Sequence, residues 1–338
     1  MRSEAPVSSR RKAVGRRPKA ESGRLLAAFC LLPTAYCLLL LASCSRQPPA
    51  TPQGKRLKFV MVTHDAGTAF FVPHRQALED FAARYGVEAD FLGPKTFDVA
   101  AQVKILESLV ESGVDGIATT TPDPQAYEPV ISLALNRGIP VVVYNTDSSN
   151  PQRRRMAFVG QDDRKAGAAL GREIIRLMGG RGKVAIVICC PGHPAIETRA
   201  RGVLETLAAS GIQAVGPLSV GADQSKAFGA VEAILQGDPS LDGIFGCDAY
   251  TEVIGRYLET RQLPKKLKAG GWDLLPNTLQ AIQRGYLQVS IGQNPYLQGY
   301  YSILQLYLYK TRGIQPMDID TGVEIVTAQN VDRYISKP

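Results

Sequence analysis

Six polar side chains and three aromatic ones stand where this 338-residue sequence could do chemistry. They are Asn145, Asp147, Arg199, Asp248, Asp273 and Gln293, with Phe70, Phe71 and Trp272. Carboxylates and amides accept from and donate to paired hydroxyls, and a guanidinium supplies a planar fork of donors. Aromatic rings cover apolar C–H faces. Such a set suits a sugar or a similar polyol. A buried polar group without a partner costs roughly 1–3 kcal/mol, so a cleft holding these groups must be filled by a polar ligand or by water. The types needed for reaction are not arranged for it. There is no evident hydroxyl–histidine–carboxylate set and no Cys/His cluster at metal spacing. Neither GxGxxG after the first strand nor GxxxxGK[ST] is present. The expectation is a binding protein with no catalytic residue, no metal and no cofactor. A nicotinamide-dependent or sugar-modifying enzyme is the disfavoured alternative.

These residues share a position in the pattern of elements. From Leu57 onward, short apolar runs alternate with helical segments. The runs are 57–63, 87–92, 115–120, 139–145, 156–159, 183–190, 212–216, 243–246, 266–273 and 288–293. The helical segments between and after them are 71–85, 98–112, 125–137, 163–178, 194–210, 223–236, 249–261, 276–284 and 295–312. Strands alternating with helices of this length predict βαβ units and parallel sheets, and two successive blocks of similar size predict two lobes. Open parallel sheets bind ligands outside the carboxyl ends of their strands, and the candidate residues follow such ends. Cys189 and Cys190 read as the end of a buried strand, and buried free Cys behaves as a small apolar residue.

The stretches FVMVTHDAGTAFF, VDGIATTTPDPQAYEPVI, GIPVVVYNTDS, FVGQDDRKAGAALG, PGHPAIETRARGV and GWDLLPNTLQAI, in this order and spacing, resemble the periplasmic simple-sugar-binding proteins of bacterial ABC importers, the ribose- and galactose-binding type. The resemblance spans about 57–293. It implies an α/β fold of the type I periplasmic binding protein class, two Rossmann-like lobes joined by a three-strand hinge with crossings near 160, 293 and 320. The N-terminal lobe would comprise 56–160 plus 294–319, and the C-terminal lobe 161–293 plus 320–338. It implies that Phe70 or Phe71 stacks on the sugar, the alternative being that they staple the first helix to the sheet. Asn145 stands where many members have an Asp, with Asp147 two residues on as a ligand or a turn residue. Arg199 would be the fork, with Arg201 as competitor. Asp248 would face the cleft or cap a helix, Asp273 would be the family's carboxylate, and Trp272 a stacking wall or a packed strand residue. Gln293 would lie at the hinge, with Asn294 a weaker neighbour. His64 and Asp65 would line the cleft or cap a loop. Cys247 departs from the family pattern, where a polar residue is usual.

The chain carries a net charge of +8, but residues 1–43 hold eight Lys/Arg against two acids, leaving 31 against 29 from Cys44 onward. The folded part therefore has no general electrostatic reason to bind nucleic acid. Residues 1–24 are basic, 25–43 are apolar, and Leu41-Ala42-Ser43-Cys44 resembles the bacterial lipoprotein box. The expectation is a signal peptide over 1–43, lipidation of Cys44 and a tether over 44–55 with three prolines; an uncleaved anchor is the alternative. The partners expected are a monosaccharide or polyol and an ABC permease, for a monomer anchored by lipid to a membrane of the cell envelope. A receptor for a membrane histidine kinase is the alternative use of the same fold.

Overall fold

The computed structural model describes residues 56–263 and 267–335; the signal, Cys44 and the tether lie outside them. The described strands are β1 (Lys58–Val62), β2 (Glu88–Leu92), β3 (Gly116–Thr119), β4 (Val141–Tyr144), β5 (Ala157–Gly160), β6 (Arg181–Ile188), β7 (Gly211–Ser219), β8 (Gly243–Gly246), β9 (Lys268–Trp272), β10 (Val289–Gly292), β11 (Ile319–Asp320) and β12 (Glu324–Val326). They form two six-stranded sheets, ordered β11-β5-β4-β3-β1-β2 and β12-β10-β9-β8-β6-β7. Every pairing is parallel except β12, which runs antiparallel to β10.

The sequence dictates this layering. β3, β4, β8 and β10 are buried at every residue, as parallel strands covered by helices on both faces require. Along β1, Phe59 and Met61 join one apolar cluster while Val60 and Val62 join the cluster on the opposite face, the period of two that a pleated strand imposes. Asp98 accepts from the Ala101 amide (2.9 Å) and so caps the helix Val99–Ser112, which Gly113 closes at φ 73°. Prolines open the helices Pro194–Ala208, Pro276–Gln283 and Pro295–Arg312, where their missing N–H costs nothing.

The chain passes between the sheets three times. It leaves the first after Gly160, returns after Gly292, and leaves again after Asp320. The three passages are stitched together. Thr321 N donates to Gly160 O (2.8 Å), and Thr321 Oγ1 to Gln293 O (2.9 Å). Gln161 Nε2 donates to Gly292 O (3.0 Å) and Gly322 O (2.8 Å). Several boundaries shift by a few residues from the sequence reading, and one bears on the cleft: β6 stops at Ile188, so Cys189 and Cys190 lie in the connection beyond it.

Candidate functional site

The carboxyl ends of both sheets open on one cavity of about 810 Å³. The first lobe contributes His64, Phe70, Phe71 and Asn145, the second contributes Arg199, Asp248 and Asp273, and the crossing contributes Gln293. Asn145 follows β4 and donates no fork of its own; its amide reaches Gln293 Oε1 at 3.2 Å. Arg199 Nη2 reaches the same oxygen at 3.1 Å, and Gln293 Nε2 donates to Asp273 Oδ1 at 2.7 Å. One side chain at the crossing thus ties a residue of each lobe.

Asn145 and Asp273 occupy equivalent places. Each is the first residue after the third strand from the edge, at φ 59° and 66°, and each amide bonds the next strand, to Val159 O (3.0 Å) and Ile291 O (2.9 Å). Asn294 at the crossing shares the left-handed conformation, φ 52°. Asn and Asp tolerate it because a short polar side chain can hydrogen-bond locally.

Arg199 is placed by its helix. Ile196, Ala200, Val203 and Leu207 are buried at helical spacing with it, whereas Arg201 faces solvent. The helix packs on Asp163–Met178 through two glycines. A Cβ on Gly167 would collide with Arg199 O, and one on Gly202 with Arg164 O. That close approach brings Asp163 Oδ1 to 2.7 Å from Arg199 Nε. The guanidinium also lies 5.0 Å from the Trp272 ring centre.

Three carboxylates face this one guanidinium, and the site's electrostatics follow. Burial pushes Asp273 up to about 6, against the pull of Arg199 and the Gln293 hydrogen bond. Burial likewise raises Asp163 and Asp248. Arg199 loses solvation too, but Asp163, Asp273 and Asp248 outweigh that and hold its proton more firmly. Asp248 is further committed: its oxygens accept from the amides of Cys189 (2.6 Å) and Tyr250 (2.9 Å).

On the other side, Phe70 and Phe71 sit in the turn Ala69–Phe71, 5.0 Å apart and edge to face. They line the cavity and also pack in the first-lobe core. His64 and Asp65 line it as well, with Asp65 also capping its loop through Gly67 N (3.2 Å) and Thr68 Oγ1 (2.7 Å). The jaws meet at His64 and His193, whose ring centres are 5.8 Å apart, with Phe97 packed on both.

Two sequence candidates lie elsewhere. Asp147 is outside the cavity because Arg153 and Arg155 hold its carboxylate, each at 2.9 Å. Trp272 is fully buried behind Arg199 and donates Nε1 to Gln161 Oε1 (3.2 Å), so it is a back wall and not a face open to ligand. Asn294 braces the crossing by donating to Thr321 O (2.9 Å), and Cys247 is buried in the second-lobe core. Sequence reasoning passed over Asp163, His193, Phe97 and Gln298. The last donates to Gln293 O (2.8 Å) and meets His74 Nε2 at 3.2 Å. For Asp163 and His193 a signal existed, since GQDD and PGHP both follow strands.

Comparison with known proteins agrees with the architecture. The profile of the periplasmic binding protein domain matches residues 59–313. The xylose/arabinose-binding protein XylF of Sulfolobus acidocaldarius is 31% identical over 300 residues, covering 84% of this chain and 74% of that protein. The ribose import binding protein RbsB of Bacillus subtilis is 26% identical over 77% of this chain and 86% of its own. Among solved structures, an ABC transporter solute-binding protein from Burkholderia graminis, in complex with D-arabinose, superposes with a TM-score of 0.78 at 29% identity, over 83% of this chain and 98% of that one. A chain with two parallel-dominated sheets, three crossings and this match belongs to the periplasmic binding protein family, in its simple-sugar-binding group.

Proposed function

We propose that this protein is the exported solute-binding component of an ABC importer and captures a monosaccharide between its lobes, with an aldopentose as the first choice. The observation that carries this is the buried polar set of Arg199, Asp273, Asn145 and Gln293, drawn from both lobes and the crossing and facing one cavity with Phe70 and Phe71. Hydroxyls are its natural complement, since each can donate to a carboxylate and accept from a guanidinium or amide at once. The pentose preference rests on the xylose/arabinose-binding relative and the arabinose-bound neighbour. A ligand touching both lobes stabilises the closed form by the contacts it makes only there. The closed form then docks on a permease, as a monomer held to the membrane through lipidated Cys44.

A thermal-shift screen with D-xylose, L-arabinose, D-arabinose, D-ribose, hexoses and polyols tests this. A ligand that binds only the native state raises the melting temperature by mass action. At least one pentose is expected to do so, and Asp273→Ala to abolish it. No stabilisation by any sugar would refute the assignment. Metabolic labelling with a fatty acid tests the anchor: label is expected in the wild type and lost in Cys44→Ala.

A further inference from the structure

We propose that Cys189 and Cys190 form a redox-modified site in the wall of the ligand cleft, closing to a disulfide between neighbouring residues. Both line the cavity. Their sulfurs are 2.7 Å apart and unbonded, against about 2.05 Å for a disulfide. Closing the bond therefore takes less than about 1 Å of movement. The backbone around the pair is fixed at both ends. Cys189 N donates to Asp248 Oδ2 (2.6 Å), and Cys190 O accepts from His193 N (3.1 Å).

The two thiols differ in access. Cys189 is 6% exposed and Cys190 is half-buried. An oxidant entering the cleft meets Cys190 first. The oxidant required is a small-molecule or protein disulfide, which an exported protein encounters. The Cys190 thiolate attacks one sulfur of it, forming a mixed disulfide and releasing one thiol. Cys189 then loses its proton and displaces the second thiol, closing the ring. Two thiols are oxidised, one disulfide is reduced to two thiols, and the two protons leave on the released thiols.

Two features set the poise. The hydrogen bond to Cys190, burial and the nearby Asp248 all disfavour the Cys189 thiolate. Reduced Cys189 thus lacks the ionic stabilisation that makes some dithiols resist oxidation. Against this, adjacent Cα atoms are about 3.8 Å apart, closer than the roughly 4.4–6.8 Å of ordinary disulfides. The closed ring is strained and remains reducible, which is the property of a regulatory bond and not of a structural one. Closure replaces two thiols in the cavity wall by a rigid edge. It also stiffens the connection that leads through His193 into the helix bearing Arg199.

The test uses the exported protein purified without reductant and incubated with oxidised glutathione. It is alkylated in denaturant and cut with trypsin. Peptide 184–199 contains both cysteines and no other. We expect it unalkylated and lighter by two hydrogens than the dithiol, and doubly alkylated after phosphine treatment. A doubly alkylated peptide without prior reduction, or one that keeps glutathione on Cys190, overturns the proposal. The second arm rests on the sugar reading: D-xylose or L-arabinose is titrated before and after reduction. Reduction should weaken binding about threefold or more through lost preorganisation, with no such effect in Cys190→Ser. Equal affinity in both redox states would refute the effect on the cleft. If neither sugar binds in either state the sugar reading fails, and the peptide mass still decides the bond.

Discussion

Arg199 Nη2 and Gln293 Oε1 lie 3.1 Å apart, and through that contact the second lobe's buried cation is tied to the crossing that also receives Asn145. Gln293 side-chain atoms meet Asn145, Arg199 and Asp273 at once. Gln293→Ala would leave the Asn145 amide, the Arg199 fork and Asp273 each short of a partner, costing about 1–3 kcal/mol of stability. Gln293→Glu keeps the size but sets a second carboxylate against Asp273. We expect it to weaken sugar binding more than Gln293→Ala does, with partial recovery below pH 6 as one carboxyl protonates. Calorimetric titration at pH 5 and 7 checks the order.

Gly167 makes a prediction about a residue outside the cavity. Its missing Cβ lets the helix Asp163–Met178 approach the backbone of Arg199. Gly167→Val should push the helices apart, lengthen the Asp163–Arg199 pair and leave a buried charge poorly compensated, costing about 3 kcal/mol or more. Urea denaturation measures the stability and a sugar titration the site. Gly229, where a Cβ meets nothing within 4 Å, is the control: Gly229→Ala should preserve both.

Asp147 separates the geometry from the sequence reading. Its carboxylate serves Arg153 and Arg155 away from the cleft. The Asp147–Arg155 pair is only 17% and 13% exposed, so Asp147→Asn is expected to cost about 1–3 kcal/mol of stability and to leave sugar affinity unchanged within error. A tenfold loss of affinity would place Asp147 back in the site.

The chain's three histidines are all buried at or beside the cleft. Burial holds His64 down to about 3 and His74 to about 4, and His193 is lowered too by burial, His64 and Arg199. His64 faces Phe71, Phe97, Thr120 and His193; His193 faces His64 and Phe97, with Arg199 near. The sign is fixed: a histidine depressed in the folded state contributes stability above pH 6.5 that is lost as pH falls toward the folded value. At pH 5 His64 and His74 should each have cost about 2 kcal/mol relative to neutral pH, and His193 acts in the same direction. Asp273, raised to about 6, opposes this between about pH 4 and 6, because its protonated form is the one the fold prefers. The net expectation is a lower urea midpoint at pH 5 than at pH 7. The double variant His64→Gln, His193→Gln should flatten that difference.

Much of the fold was legible because its signals are local. Phe59–Val62 is apolar at every position, and Asp98, Gly113 and Pro295 punctuate helices by their own conformational preferences. β11 and β12 were not legible: two and three residues long, they are strands only through their partners β5 and β10. In the site, the sequence pointed to strand ends but not to directions. Trp272 and Asp273 are neighbours, and only Asp273 turns into the cavity, because the chain takes positive φ there. Asp147 was misplaced although Arg153 and Arg155 follow closely in the sequence; which carboxylate they would engage depends on how the loop 145–155 folds back. The approach of Asp163 to Arg199 depends on two glycines on different helices, a relation that no single stretch contains.

Isothermal titration of D-xylose and L-arabinose into the protein and its Asp273→Ala variant measures whether the buried polar set holds a pentose. One saturable site per chain is expected for at least one of them. A loss of about 2 kcal/mol or more, thirtyfold, is expected in the variant, with its circular dichroism unchanged. Absence of saturable binding by either pentose, or equal affinity in the variant, would contradict it.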